Sequence, residues 1–125
     1  MRIIALLLVT IVALSHAAFL ALEMFLWTNP IGHRVFDTTP EFAEASKVLA
    51  ANQGLYNGFL AAGLLWGLIA DRRDVKVFFL CCAIVAGVYG GLTAKMSILY
   101  IQAAPALAAL LAVLAAPAPR VRHRL

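Results

Sequence analysis

Charge is scarce in this chain. Only 13% of its 125 residues are Asp, Glu, Lys or Arg, against about 25% in an ordinary soluble domain. A soluble helical protein of this length needs polar outer faces, and long stretches here have none, so a water-soluble bundle is excluded. Cysteine is nearly absent too: Cys81 and Cys82 are adjacent, no CxxC spacing exists, and neighbouring cysteines pair only with strain. They read as small buried hydrophobes rather than a disulfide framework or a redox centre. No phosphate-cradling GxxxxGK loop, dinucleotide fingerprint, HExxH or GxSxG occurs, which removes the commonest enzyme signatures. The formal net charge of +4 does not point to nucleic acid, because the basic residues are not interleaved with aromatics on one face.

What the chain has is hydrocarbon, 64% of its residues. At ~20 residues per crossing, its length admits four membrane spans and little more. The apolar runs place them at about 3–27, 47–70, 75–93 and 98–116, in a single all-α integral membrane domain covering 1–125. The first run has a small-residue step at Ser15-His16-Ala17 that imitates a signal-peptide cleavage site. Its apolar character continues through Phe19, Leu20, Met24 and Leu26, well past the ~7–15 residues of such a segment, so a retained helix is expected.

Polar residues inside such spans are costly and therefore functional candidates. His16 and Glu23 are seven residues apart in the first span, on one face with Val12, Phe19 and Trp27 and ~10 Å apart along the axis. The bland alternatives are a core histidine bonded to a neighbouring carbonyl and an interfacial carboxylate reaching water beside Trp27. Ala50-Ala51-Asn52-Gln53-Gly54-Leu55-Tyr56-Asn57-Gly58 sets three amides, a phenol and two glycines in the second span. Gln53 with Asn57, and Asn52 with Tyr56, are i,i+4 pairs. Interhelical glue, worth ~0.6–2 kcal/mol per amide, explains one such residue but is a thin reason for four. Gly54/Gly58, Gly63/Gly67 and Gly87/Gly90/Gly91 offer close-contact faces, either within the chain or in a homodimer.

Between the first two spans, Asn29-Pro30-Ile31-Gly32 carries turn chemistry, and Thr39-Pro40-Glu41 reads as an N-cap, a first-turn proline and a first-turn acid. The second helix is therefore expected to begin near Pro40 and to project above the bilayer before entering it around Val48. His33, Asp37, Glu41 and Glu44 match no metal-ligand spacing and read as a solvated face. Asp71–Asp74 is a tight polar link, residues 93–97 form a short hairpin holding Lys95, and Ser97 is placed to cap the last span, where Tyr100, Gln102 and Pro105 occur.

With four spans, Arg2, Arg72, Arg73, Lys76, Arg120, Arg122 and Arg124 share one side, and Arg34, Lys47 and Lys95 the other. The positive-inside rule puts both termini in the cytoplasm, with the basic tail as an anchor near anionic lipid. Glu23, Asn52, Gln53, Tyr56, Asn57, Lys95 and Gln102 then fall in the outer half, with His16 near the middle.

Leu22-Glu23-Met24-Phe25-Leu26-Trp27-Thr28 followed by Pro30 and Phe36, the 50–58 stretch, and Ala86-Gly87-Val88-Tyr89-Gly90 together resemble a small bacterial membrane-protein family. It is catalogued as domain of unknown function thirteen-oh-four. The resemblance covers nearly the whole chain and implies a four-helix protein of a bacterial inner membrane; it brings no activity with it.

The expected function is a polar site in the outer half that binds or transforms a small, largely apolar molecule. Glu23 is the proton donor or acceptor, His16 the relay, and Asn52, Gln53, Tyr56, Asn57, Tyr89, Lys95 and Gln102 the ligand-binding candidates; no cofactor and no metal is expected. Two other readings stand beside it. One is a proton-coupled exporter similar to small multidrug resistance antiporters, although Glu23 lies near the outer end and the first loop is long. The other is a non-catalytic partner or scaffold subunit whose polar seam fixes helix register.

Overall fold

A computed structural model describes residues 1–117. The arginines at 120, 122 and 124, read above as a cytoplasmic anchor, lie outside the described residues. All regular structure in the described residues is helical: α1 (Arg2–Phe25), α2 (Pro30–Phe36), α3 (Pro40–Ile69), α4 (Arg73–Thr93), then a π-helical turn (Leu99–Ala103) running directly into α5 (Ala104–Ala115). By length and composition, α1 and α4 are long and apolar enough to cross a membrane, and the shorter Leu99–Ala115 is also apolar. The chain divides into two compact units, Ala13–Ala62 and Met1–Val12 with the described residues from Gly63 onward.

In the Ala13–Ala62 unit, the helix starts follow from capping chemistry. The Asn29 side chain accepts from the Ile31 N–H at 3.1 Å, with Pro30 at the first helical position, so the Asn-Pro pair read above as a turn opens α2 instead. Asn-Pro serves turns and N-caps equally, because both need an extended asparagine with a free side-chain acceptor. α2 ends on Asp37, in the left-handed region (φ 54), with the Thr38 N–H returning to the His33 carbonyl at 3.1 Å. Thr39 then accepts from the Phe42 N–H at 3.2 Å and α3 starts at Pro40, as the sequence led us to expect.

On α3, the buried positions of this unit are Ala43, Ala50, Gly54, Asn57 and Ala61. That alternation of threes, fours and sevens is the seam spacing of closely packed helices. On α1, Val9, Val12, Ala13 and His16 are buried in the same rhythm.

The other unit contains a narrow link, residues 70–72. Asp71 takes φ 49, the Arg72 N–H reaches the Gly67 carbonyl at 3.0 Å and the Asp71 N–H reaches Leu68 at 3.3 Å, which satisfies the last carbonyls of α3. The link is tied down by side chains. Asp71 accepts from Arg2 Nη2 at 2.6 Å and from Lys76 Nζ at 3.1 Å. Arg73 donates to the carbonyls of Leu114 (2.7 Å) and Ala116 (3.3 Å) at the end of α5. Three cations that the sequence marks only as a topological signal therefore also fasten helix ends. The π-helical turn has a local cause: Pro105 has no N–H for the Ile101 carbonyl, and the helix ahead of it widens so that the Ala104 N–H bonds Leu99, five residues back.

Candidate functional site

Within the Ala13–Ala62 unit, one polar contact stands out: Asn57 Nδ2 donates to Glu23 Oε2 at 2.7 Å. It exists because α3 approaches α1 closely at Gly54. A Cβ there would lie 2.7 Å from Met24 Cγ, 3.0 Å from Glu23 Cβ and 3.2 Å from the Leu20 carbonyl oxygen, so any larger residue would push the helices apart. One turn further along, Asn57 is only 6% exposed and its amide is carried straight to the carboxylate. This hydrogen bond holds the Glu23 side chain in one orientation.

Beside this pair runs an open groove of about 340 Å³, bordered by Glu23 from the last turn of α1, Thr28 from the turn that follows, and Lys47, Val48 and Ala51 from α3. Met24, Phe25 and Trp27 complete its apolar wall. Trp27 is clamped in place: its indole N–H donates to Ser46 Oγ at 3.0 Å, Ser46 donates in turn to the Phe42 carbonyl at 2.7 Å, and the ring lies 4.7 Å from that of Phe36. Gly32 makes that approach possible, since a Cβ there would fall 2.1 Å from the Leu26 carbonyl oxygen. At the groove's edge, Lys47 Nζ is paired with Glu44. The groove therefore offers an apolar wall with a carboxylate, a hydroxyl and an ammonium along it.

The candidates read from the sequence are dispersed. His16 is 1% exposed, edge-on to Phe19 at 5.8 Å, and belongs to the buried stripe of α1. Asn57 and Glu23 meet. Asn52, Gln53 and Tyr56 are exposed, Tyr56 by 60%, so the i,i+4 pairing of Gln53 with Asn57 does not make them a common buried stripe. Forty degrees of rotation per four residues separates them, enough to place one at the seam and the other outside it. Tyr89, Lys95 and Gln102 belong to the other unit, with Tyr89 and Lys95 exposed and Gln102 half-buried in the π-helical turn. Among the described residues, no three His, Cys, Asp or Glu side chains form a group that could hold a metal ion.

Sequence reasoning did not single out Met24, Thr28 and Lys47 as site residues. Their signal was available in part: Trp27 lies four residues after Glu23, and Lys47 follows Glu44 by three on the exposed face of α3's first turns.

The profile of a family described as "Protein of unknown function (DUF1304)" matches residues 10–114, which include Glu23, Asn57 and every groove residue. An uncharacterized protein, YpaA, of Lactococcus lactis subsp. lactis (strain IL1403) is 31% identical over 115 residues, covering 89% of this chain and 97% of that protein's length. No solved structure matches. With a profile match of that extent and a relative aligned over nearly its whole length, the chain belongs to the DUF1304 family.

Proposed function

We propose that the chain is a bacterial inner-membrane protein that crosses the bilayer four times with both termini in the cytoplasm. Its groove beside Glu23 binds a small, largely apolar molecule that carries a hydrogen-bonding head. The membrane reading draws on α1 and α4 and on their surfaces: Ile3, Leu7, Ile11 and Leu14 of α1, and Phe78, Val85 and Leu92 of α4, are exposed. So much outward-facing hydrocarbon suits acyl chains and not water. α3, with 30 residues, is ~45 Å long, more than the ~30 Å hydrocarbon thickness, which allows its first turns to stand above the membrane. Leu99–Ala115 is ~25 Å, at the short end for a crossing.

The observation on which the functional reading rests is the Asn57–Glu23 hydrogen bond at the border of an apolar groove. An interhelical bond alone does not require a groove, and a groove for lipid alone does not require a carboxylate held by a buried amide. In this reading Glu23 gives or takes a proton at the ligand's head, Asn57 positions it, and Trp27, Met24 and Val48 contact the apolar body. Trp27 and Trp66 are the two tryptophans, so Trp66→Phe leaves Trp27 as an emission reporter within the groove. Titration with n-octylamine and n-octanol in lipid nanodiscs should give a saturable change in emission, with the amine bound more tightly. Glu23→Gln should remove the amine's advantage. Linear, non-saturating responses to both probes would refute the groove as a binding site.

Alternatively, the chain is a partner subunit. Asn52, Gln53 and Tyr56 favour this, because amides on the outer face of a helix at membrane depth are costly unless a second chain or water covers them. Asn52→Leu with Gln53→Leu should then break a co-purifying assembly while leaving the Trp27 titration unchanged.

A further inference from the structure

Around the 70–72 link, charge does not balance. Among the described residues, Asp71 is the one carboxylate of a small cleft bordered by Arg2, Arg73 and Lys76, and both its oxygens are already used, Oδ2 by Arg2 and Oδ1 by Lys76. The nearby Arg72–Asp74 pair is self-contained, with two hydrogen bonds at 2.9 and 2.5 Å. Among the described residues of the cleft, three cations against one anion leave an excess of two positive charges. Lys76 sharpens the point, since its side chain is only 8% exposed. An ammonium has three N–H groups, and among the described residues Lys76 Nζ spends one, on Asp71. A buried cation is retained when it is paired and hydrogen-bonded, so the two remaining donors call for a further acceptor. Arg2, 58% exposed and with one of its five N–H donors spent on Asp71, borders the same opening. The cleft measures about 30 Å³, room for one or two oxygen atoms and not for a whole ligand, so what enters it is the tip of a larger group.

We propose that Arg2, Arg73 and Lys76 form a seat for a phosphoryl oxyanion, presented either by the headgroup of an anionic lipid or by free phosphate. Guanidinium groups match phosphate geometry and the buried ammonium supplies a point charge. Asp71 holds the cations together and at the same time competes with the ligand for them.

The test uses the full chain in neutral detergent, with thermal unfolding followed as phosphatidylglycerol, phosphatidylcholine, inorganic phosphate or chloride at matched ionic strength is added. A saturable upward shift with phosphatidylglycerol and none with phosphatidylcholine or chloride is expected. A comparable shift with inorganic phosphate identifies the free anion as the source; its absence identifies the lipid headgroup. Arg2→Gln should weaken the apparent affinity about tenfold, the loss of one charge-assisted hydrogen bond. Asp71→Asn should strengthen it by a similar factor, and asparagine tolerates the left-handed backbone at that position. These opposite signs separate a site from a clasp that serves only folding. The proposal is overturned if neither phosphate source gives a saturable shift, if chloride does as well, or if the two substitutions leave affinity unchanged or move it in the same direction.

Discussion

Gly87 on α4 is a residue whose replacement backbone atoms obstruct. A Cβ built there would lie 2.6 Å from the Ala103 backbone nitrogen, 2.9 Å from its Cβ and 3.0 Å from its Cα. Carbon atoms in contact sit ~3.5–4.0 Å apart, so Gly87→Ala requires α4 and the π-helical turn to separate by roughly an ångström. The obstruction is backbone and cannot rotate away. Overpacking of this kind costs about 1–3 kcal/mol, and the gain in helix propensity from Gly to Ala returns at most about 1 kcal/mol. Gly90→Ala is the control: its nearest neighbour is Ile98 Cγ2 at 3.1 Å, a side-chain atom that can give way, so the propensity gain should dominate. Unfolding in mixed detergent micelles, titrated with dodecyl sulfate, should show Gly87→Ala destabilised by about 1–2 kcal/mol, while Gly90→Ala lies within ~0.5 kcal/mol of the parent or above it. Equal effects of the two substitutions would refute the close approach of α4 to the turn before Pro105.

Asn57→Ala should lower stability by about 1–2 kcal/mol, the loss of an interhelical hydrogen bond to a carboxylate, measured by the same titration; Asn52→Ala, on the exposed face, should change it by less than ~0.5 kcal/mol. Ser46→Ala removes the acceptor of the Trp27 indole and should cost about 1 kcal/mol and shift Trp27 emission in the Trp66→Phe background; an unchanged spectrum would show that the clamp does not fix the ring. Reporters inserted in the 71–74 link and fused after Leu125 should read cytoplasmic, and one near Phe36 external; a cytoplasmic Phe36 would invert the proposed orientation.

The helices themselves were legible because their causes are local. Long, mostly apolar runs mark α1 and α4, and Thr39-Pro40-Glu41 fixes the start of α3 through a cap whose hydrogen bond is present. α2 was not legible as a helix, because Asn-Pro-Ile-Gly satisfies a turn and a helix start equally, and what distinguishes them is the His33 N–H bond to the Asn29 carbonyl at 3.1 Å, four residues back. The π-helical turn follows from Pro105, yet a proline near a helix start can also be accommodated without widening, and the choice depends on how Gly87 and Gly91 pack on the segment ahead of it.

Of the candidate site, Glu23 and Asn57 could be named as polar residues in apolar runs but not as partners, since 34 residues of chain separate them. The amides were grouped by i,i+4 spacing, whereas the seam is set by small residues: Ala43, Ala50, Gly54 and Ala61 share it with Asn57 alone among the amides. Spacing gives relative angle around a helix and not which angle faces a neighbour; the run of small residues carried that information.

Whether the groove beside Glu23 holds a ligand can be read from a cryo-electron-microscopy map of the chain in lipid nanodiscs prepared without stripping bound molecules. The expected result is an elongated feature lying along Trp27 and Val48, with its polar end within hydrogen-bonding distance of Glu23 while Asn57 keeps its bond to the carboxylate. A collapsed groove, with the walls from α1 and α3 in direct contact and nothing beside Glu23, would contradict it.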